Sequence, residues 1–243
     1  MKAMIFAAGL GTRLKPLTDT LPKAMVPISG KPLLQHVIEK LKASGFDEII
    51  INVHHFAEQI IDFVQANNNF GIHIEISDER EMLLDTGGGI KKAAHFFNTG
   101  KPFLIHNVDI LSDINLTKLY AEHQKNDAHA TLLVSERKTS RYLLFDDENR
   151  LRGWINKQTG EVKSPFLNFN PSACKARAFA GIHVLSPDIF AYMDDFPDKF
   201  SIIDFYLSVC GKAKIEAFNP PHLSLLDVGK IDSLEEANRF LSK

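Results

Sequence analysis

The chain has little cysteine and little tryptophan, and it has no long apolar run. Its 243 residues include two cysteines and one tryptophan. Cys174 and Cys210 have neither a C-x-x-C nor a zinc-ligand spacing, so they predict two reduced thiols in a cytoplasmic protein. The apolar runs are far shorter than a membrane span, and the chain begins directly with a strand-like segment. We therefore expect no membrane segment and no signal peptide.

The charge pattern argues against several kinds of partner. Lysine and arginine number 28 against 30 aspartates and glutamates, which gives a formal net charge of −2. No long basic run occurs, so nothing indicates a nucleic-acid partner or an acidic membrane surface. The histidines include no H-E-x-x-H pattern, which argues against that class of zinc site. With 44% hydrophobic residues, the chain has ample material for one large α/β domain.

Strand-like and helix-like segments alternate through the first 135 residues. Strands are predicted at 2–7, 48–53, 71–76, 103–106 and 130–135, with helices between them at 32–43, 57–66, 89–97 and 116–125. This order predicts a Rossmann-like α/β fold, in which a mostly parallel sheet has helices on both faces. After residue 135 the pattern changes to a hairpin (141–146 and 151–156), strands at 178–185 and 214–218, and a closing helix at 233–241.

The most informative segment follows the first strand. Residues 9–13 read Gly-Leu-Gly-Thr-Arg, and Lys23 follows ten residues beyond Arg13. Glycines let a backbone approach a ligand closely, while arginine and lysine offer a planar fork and a point charge for phosphate. The loop lacks the third glycine of G-x-G-x-x-G and the G-K-[ST] of a P-loop, so neither of those nucleotide-binding loops is present. The pattern favours a nucleoside triphosphate held by Arg13 and Lys23.

Two aspartates end predicted strands that lie far apart in the sequence. Asp109 ends the segment 103–109, and Asp227 ends the segment 224–227. Ligands of α/β sheets bind at the carboxyl ends of strands, and magnesium typically takes one or two carboxylates plus substrate oxygens. Because chemistry on a nucleoside triphosphate needs a divalent ion to offset phosphate charge, Asp109 and Asp227 are the predicted Mg²⁺ ligands. A turn residue or a helix cap is the alternative interpretation of each.

Residues 5–27 resemble the signature G-x-G-T-R-[LM]-x-P-x-T-x-x-x-P-K-x-[ML]-x-P of sugar-1-phosphate nucleotidyltransferases. The resemblance extends from residue 2 to residue 229, with the motifs in the family order. It implies the nucleotide-diphospho-sugar transferase (GT-A-like) fold with a small sugar-binding lid, in a single domain over residues 1–243. Residues 1–135 are then the nucleotide-binding core, and residues 136–243 the sugar-binding part with the closing helix. The implied reaction converts a nucleoside triphosphate and a sugar 1-phosphate into a nucleotide sugar and pyrophosphate.

The resemblance also implies which residues bind each substrate. On the nucleotide side these are Ala8, Gly9, Gly11, Thr12, Arg13, Lys23, Ser77 and Gly88, with Arg13 and Lys23 also catalytic. On the sugar side they are Asn107, Asn156, Lys157 and Gly181. Asp109 and Asp227 match the family's metal ligands. Gly88 belongs to the segment 85–89, Asp-Thr-Gly-Gly-Gly, which resembles a base-pocket motif. The alternative is a glycine-rich helix start capped by Asp85 or Thr86.

Within the family the chain is most similar to N-acetylmuramate-1-phosphate uridylyltransferases and to heptose-1-phosphate nucleotidyltransferases. Asn156 stands where glucose-1-phosphate thymidylyltransferases carry a glutamate. Because an amide can both donate and accept hydrogen bonds, we expect an N-acetylated or bulky sugar 1-phosphate, with UTP as donor. A heptose-1-phosphate guanylyltransferase and a phosphocholine-type cytidylyltransferase are the alternative enzymes. A non-enzymatic alternative is a catalytically inactive nucleotide-binding regulator with the same fold. The oligomeric state stays open.

Overall fold

The structure is a computed structural model that describes residues 1–242. Within them the strands are β1 (Lys2–Phe6), β2 (Pro27–Ile28), β3 (Lys31–Pro32), β4 (Glu48–Val53), β5 (His73–Asp78), β6 (Phe103–Asn107), β7 (Ile110–Ser112), β8 (Ala130–Ser135), β9 (Arg141–Phe145), β10 (Leu151–Asn156), β11 (Val162–Lys163), β12 (Lys175–Leu185), β13 (Ile215–Phe218) and β14 (Leu225–Asp227). The α-helices are α1 (Leu33–Ala43), α2 (Ala57–Ala66), α3 (Asp85–Lys92), α4 (Leu116–Asn126), α5 (Ile202–Val209) and α6 (Ser233–Leu241). None of these helices is long and apolar enough to cross a membrane.

The chain divides into two compact units, and each is discontinuous in sequence. The first contains residues 1–84, 105–117 and those from 224 onward, and the second contains residues 85–104 and 118–223. Neither unit therefore coincides with the predicted halves 1–135 and 136–243. The assignment of nucleotide binding to the first half and sugar binding to the second stays a prediction.

The first unit is built on a parallel sheet. Its strands lie in the order β6, β1, β4, β5, and β4 pairs in parallel with both β1 and β5. The central strands are continuous apolar runs, with Ile5 and Ile49–Ile51 fully buried, as expected where helices cover a sheet. Helix α1 buries five side chains at helical spacing, Leu33, Leu34, Val37, Ile38 and Leu41. The predicted α/β class with a mostly parallel sheet is confirmed.

Two short antiparallel ribbons complete the first unit. Strands β2 and β3 form one, and β7 and β14 form the other. Helix α6 is tied to the turn after β2, because the Ser29 N–H donates a hydrogen bond to Asn238 Oδ1 at 2.6 Å. The chain thus returns to this unit at its end and brings β14 to β7.

The second unit is mostly antiparallel. Strand β8 pairs antiparallel with β12 and parallel with β13, and β9 pairs antiparallel with both β10 and β12. The side chains of Leu132, Leu133 and Val134 in β8 are fully buried. The predicted hairpin is confirmed, with its strands at Arg141–Phe145 and Leu151–Asn156.

The boundaries differ from the prediction mainly where glycine and proline dominate. Helix α3 begins at Asp85 and not at Gly89, so the glycine segment is helical rather than a loop. Three single 3₁₀ turns, Thr12–Leu14, Leu17–Asp19 and Lys23–Met25, follow the first loop, where no element was predicted. Strand β7 was also missed. It has only three residues and exists through its pairing with β14.

Candidate active site

The loop after β1 turns sharply at Gly11. This residue has a φ of +63°, a left-handed conformation that favours glycine. Its carbonyl oxygen accepts hydrogen bonds from the Leu14 N–H and from the Thr18 hydroxyl, each at 2.8 Å. A Cβ atom on Gly11 would lie 2.8 Å from Thr18 Cγ2 and 3.1 Å from Lys23 Cβ, so a larger residue does not fit. The turn therefore requires glycine for its conformation and for its close approach to Lys23.

The predicted phosphate-binding residues differ in exposure along this loop. Ala8 is buried, whereas Gly9, Thr12 and Arg13 are exposed. Exposed backbone N–H groups and a guanidinium on one tight turn suit an anionic ligand. The loop can thus present its residues to phosphate while Ala8 anchors it to the core.

Lys23 lies at the first position of a 3₁₀ turn and is only 8% exposed. Its Nζ donates a hydrogen bond to Asp109 Oδ2, across 86 positions of sequence. The sequence motifs assign the two side chains to different ligands, Lys23 to phosphate and Asp109 to a metal. The structure brings them into direct contact, so the lysine neutralises the carboxylate in this structure.

The β7–β14 ribbon brings the backbone around Asp227 close to the backbone of Asp109. Asp227 is paired with Ile110, and the Val228 N–H donates a hydrogen bond to the Asp109 carbonyl oxygen at 2.8 Å. Oδ1 of Asp227 is buried and has no hydrogen-bond partner among residues 1–242. Because buried polar atoms nearly always have partners, this oxygen indicates a place for a cation or a donor from a ligand.

Side-chain atoms of Arg13 and Asp227 both lie close to Gly229. A Cβ atom on Gly229 would lie 2.6 Å from Asp227 Oδ1 and 3.0 Å from Arg13 Nη2. Both side chains therefore border Gly229, which has no room for a substituent. With the Lys23–Asp109 pair, the first unit holds two cationic and two anionic side chains around the ends of β6 and β14.

The two aspartates could hold a divalent cation. Among residues 1–242, no three His, Cys, Asp or Glu side chains form a cluster that could bind a metal, so at most two side chains of these types could share one ion. A pair of carboxylates suits Mg²⁺, which completes its shell with substrate oxygens and water. It does not suit a structural zinc ion, which takes four side-chain ligands. The unpartnered oxygen of Asp227 fits this use.

His106, three residues before Asp109, is neutral at physiological pH. It is fully buried, and desolvation together with the nearby Lys40 charge lowers its pKa to about 4. Its Nδ1 lies 2.8 Å from the Asn107 carbonyl oxygen, which can only accept, so Nδ1 carries the proton. The charge at this site therefore comes from the arginine, the lysine and the two aspartates.

Two further predicted ligand contacts lie in the same unit. Asn107, predicted to contact the sugar phosphate, ends β6 and is half-buried. Ser77, predicted to contact the base, is in register with Asn52 of the neighbouring strand and is 4% exposed. The Ser77 hydroxyl has no partner within the described chain, so it can form a hydrogen bond with a ligand. Both contacts stay predictions.

Two buried polar residues that no sequence motif singles out lie behind the loop. Asn52 Oδ1 accepts the N–H groups of Ala7 and Ala8, at 2.8 and 3.3 Å. Asn52 Nδ2 donates to Glu79 Oε1 at 2.8 Å, and the Leu84 N–H donates to Glu79 Oε2 at 3.1 Å. The start of the loop is therefore attached to a buried carboxylate through one amide side chain.

Comparison with known proteins gives the family. The sequence profile described as "Nucleotidyl transferase" matches residues 2–243. The chain belongs to the nucleotidyl transferase family.

The proteins that this chain resembles include named enzymes and a structure solved with a bound nucleotide analogue. The chain is 32% identical over 229 residues to an N-acetylmuramate alpha-1-phosphate uridylyltransferase of Caulobacter vibrioides, which covers 91% of this chain and 89% of the relative. The enzyme of the same description from Neisseria meningitidis is 43% identical over 120 residues, 49% of this chain and 52% of that one. HddC from Yersinia pseudotuberculosis, complexed with GMP-PN, has a TM-score of 0.77 and 26% identity over 99% of both chains. The chain spans about half the length of several other curated relatives.

Gly88 lies inside α3, in the second unit. The N–H groups of Gly87 and Gly88 both point at the Phe200 carbonyl oxygen, at 2.8 and 3.3 Å. A Cβ atom on Gly87 would lie 2.3 Å from the Phe200 ring, so this glycine is needed for packing. The Thr86 hydroxyl accepts the Ile202 N–H at 3.0 Å and so caps α5, not its own helix. The base contact of Gly88 stays a prediction.

The predicted sugar contacts of the second unit lie in and around its sheet. Asn156 ends β10, and its Oδ1 accepts the Gln158 N–H at 3.0 Å, which stabilises the following turn. Lys157 Nζ lies 4.8 Å from the centre of the Tyr142 ring, a cation–π distance. Gly181 has a φ of +71°, at the point where the pairing of β12 with β8 shifts register. Each residue thus has a structural role, and its sugar contact stays a prediction.

Proposed function

We propose that this protein is a sugar-1-phosphate nucleotidyltransferase. It joins a nucleoside triphosphate, with UTP the expected donor, to a sugar 1-phosphate and releases pyrophosphate. The observation that supports this most strongly is that Arg13, Lys23, Asp109 and Asp227 all lie in one unit. There Lys23 is bonded to Asp109, Arg13 and Asp227 both border Gly229, and Asp227 has an unpartnered carboxylate oxygen. Two cations and a carboxylate pair beside a glycine turn suit a polyphosphate with its metal.

In the proposed reaction, an oxygen of the sugar 1-phosphate attacks the α-phosphorus of the triphosphate in line with the leaving group. The new P–O bond forms as the bond from the α-phosphorus to the bridging oxygen breaks, and pyrophosphate carries the charge away. The nucleophile is already an anion, so no general base is needed, and neutral, buried His106 is consistent with this. Catalysis then consists of positioning and charge neutralisation.

Each charged side chain has a part in this scheme. Lys23 stabilises the negative charge that develops on the transferred phosphoryl group. Arg13 and the N–H groups of the loop bind the leaving pyrophosphate. Asp109 and Asp227 hold Mg²⁺, which supplies charge neutralisation at the phosphates when bound.

The sugar 1-phosphate proposed is one that carries a carbonyl group, such as an N-acetylated sugar. Asn156 Oδ1 already accepts the Gln158 N–H, so the Asn156 amide nitrogen is the group left to offer donors. Amide donors suit a carbonyl or carboxylate oxygen of the substrate. The similarity to two N-acetylmuramate alpha-1-phosphate uridylyltransferases supports the same choice and the choice of UTP.

A guanylyl donor is the second candidate. The likeness to HddC complexed with GMP-PN favours it, as does 31% identity to a mannose-1-phosphate guanyltransferase of Yarrowia lipolytica. The two candidates share the reaction and differ only in the base that is accepted.

The deciding experiment is a pyrophosphate-release matrix. UTP, GTP, CTP, ATP and dTTP are each combined with N-acetylmuramate 1-phosphate, glucose 1-phosphate, mannose 1-phosphate, a heptose 1-phosphate and phosphocholine. We expect the highest kcat/KM for UTP with N-acetylmuramate 1-phosphate. Equal or better use of glucose 1-phosphate would contradict the sugar assignment, and preference for GTP or CTP would contradict the donor. No pyrophosphate from any pair would overturn the reaction itself.

The compartment proposed is the cytoplasm. Cys174 and Cys210 are free thiols, which is typical of proteins in reducing compartments. Burial raises the pKa of Cys210 to about 11, so this thiol is unreactive near neutral pH. The proposed partners are the two substrates, with no nucleic acid and no membrane, and the oligomeric state stays open.

A further inference from the structure

We infer that Glu79 is a positioning residue that fixes the phosphate-binding loop through Asn52. The inference deepens the proposed function and rests on it. Glu79 is 1% exposed, and its carboxylate hydrogen-bonds with Asn52 and Leu84, neither of which belongs to the segment 9–13. Its carboxylate instead determines how the Asn52 amide faces the N–H groups of Ala7 and Ala8, from which the loop departs.

The backbone of Glu79 is held from two sides. Its N–H donates a hydrogen bond to the Val53 carbonyl oxygen at 2.8 Å, at the end of β4. Its carbonyl oxygen accepts the His54 Nδ1–H at 2.6 Å. The carboxylate therefore projects from a fixed point, and it cannot easily follow a displacement of its partners.

The orientation of the Asn52 amide follows from its partners. The two backbone N–H groups of Ala7 and Ala8 need an acceptor, which only Oδ1 supplies. The Glu79 carboxylate needs a donor, which only Nδ2 supplies. Because Leu84 donates to the second carboxylate oxygen, both oxygens of Glu79 face donors.

A Glu79→Gln substitution keeps the shape of this network and reverses one bond. The amide that it introduces can accept from the fixed Leu84 N–H only through its oxygen, so its NH₂ group faces Asn52. Asn52 then has to turn its own oxygen toward that group, which points its NH₂ at Ala7 and Ala8. Donors face donors at the start of the loop, and the loop is expected to move.

The double variant Asn52→Asp with Glu79→Gln restores every bond. The carboxylate introduced at position 52 accepts the N–H groups of Ala7 and Ala8 with one oxygen. Its other oxygen accepts the NH₂ group of the amide at position 79, and the oxygen of that amide still accepts the Leu84 N–H. The number of negative charges also equals that of the wild type. Asn52→Asp alone places two carboxylates face to face, so each single change is unfavourable and the pair is matched.

The test measures binding of magnesium tripolyphosphate, which has the phosphate chain and no base, and of magnesium UTP by calorimetry. We expect E79Q to weaken both by about tenfold, the usual scale when one buried donor loses its acceptor. The double variant should recover to within about threefold of wild type. Glu216→Gln is the matched control, since Glu216 is 8% exposed and pairs with Lys214 at 3.2 Å in the second unit.

The outcomes separate this inference from the function on which it rests. If E79Q weakens UTP alone and leaves tripolyphosphate unchanged, Glu79 acts on the base and the inference is wrong. If wild type binds neither ligand and releases no pyrophosphate, the proposed function has failed. Should E79Q not fold, the double variant decides: recovered folding with wild-type affinity supports the network, and a variant as impaired as E79Q overturns it.

Discussion

Removing the amino group of Lys23 should change turnover and metal affinity in opposite directions. Lys23 donates to Asp109, and both side chains are largely shielded, at 11% and 18% exposure. In a Lys23→Ala variant the carboxylate loses its cation, while the backbone of the 3₁₀ turn keeps its own hydrogen bonds. The protein should therefore stay folded, with Asp109 charged and open to another cation.

The loss of turnover should be large. If Lys23 stabilises charge that develops on the phosphoryl group, its removal costs ~3 kcal/mol of transition-state stabilisation, or about a hundredfold in kcat.

The gain in metal affinity should be smaller. Two unit charges about 4 Å apart at an effective dielectric constant of about 20 interact by ~4 kcal/mol. The remaining solvent exposure and salt reduce this, and we expect ~1 kcal/mol, or about fivefold tighter Mg²⁺ binding in the absence of nucleotide.

Two measurements on one preparation check this prediction. Pyrophosphate release at saturating substrates gives kcat, and calorimetric titration with MgCl₂ gives the metal affinity. Lys31→Ala is the matched control, because Lys31 pairs with Glu39 at 2.8 Å on the surface of the same unit. Turnover within about threefold of wild type would remove Lys23 from the site. Unchanged or weaker Mg²⁺ binding would show that lysine and metal do not compete for Asp109.

Three further outcomes follow from charge and burial. Asp109→Asn and Asp227→Asn should each raise the Mg²⁺ concentration needed for half-maximal pyrophosphate release, and EDTA should abolish release by the wild type; wild-type titrations from both variants would exclude the pair as metal ligands. Burial lowers the pKa of Lys40 from 10.5 to about 8, so the unfolded chain binds more protons than the folded protein between pH 8 and pH 10.5. The free energy of unfolding measured in urea should therefore rise from pH 8 to 10.5. A Lys40→Met variant with the same rise would contradict this. Burial lowers the pKa of His106 to about 4 and of His183 to about 3. The unfolded chain therefore binds more protons than the folded protein below pH 6.5, and the free energy of unfolding should fall as the pH drops below that value. A urea midpoint that stays constant from about pH 7 to about pH 4.5 would contradict this prediction.

The elements with strong local patterns were predictable from the sequence to the residue. Glu48–Val53, Ala57–Ala66 and Ser233–Leu241 have the predicted bounds. In each of them the spacing of apolar residues agrees with the surface that becomes buried. Packing and local preference then favour the same structure, so no tertiary information is needed.

Helix α3 shows where this reasoning fails. Three successive glycines have poor helix propensity, each costing about 1 kcal/mol relative to alanine, so the sequence predicted a later start. The structure starts the helix at Asp85 because Gly87 packs against Phe200, far away in sequence. A contact of this kind leaves no local signal.

The candidate site was predictable as a set of residues but not as a set of contacts. The glycine turn and the two aspartates could be identified from the sequence, because each stands at or just after the end of a strand-like segment. The bond between Lys23 and Asp109 is not visible, and neither is the network behind the loop. The only sequence feature that points to this network is Asn52, an amide within the apolar run of β4. A buried polar side chain at such a position needs hydrogen-bond partners.

The relative position of the two aspartates depends on a backbone register and not on their side chains. The β7–β14 ribbon has three residue pairs, and so short a ribbon is not stable alone. Hydrogen bonds close both of its ends. The Asp113 N–H donates to the Ser224 carbonyl oxygen at 3.1 Å, and Val228 bonds to Asp109 at the other end. A slip of one residue would turn Asp227 to the opposite face, so these end bonds fix the face of the ribbon to which the Asp227 side chain points.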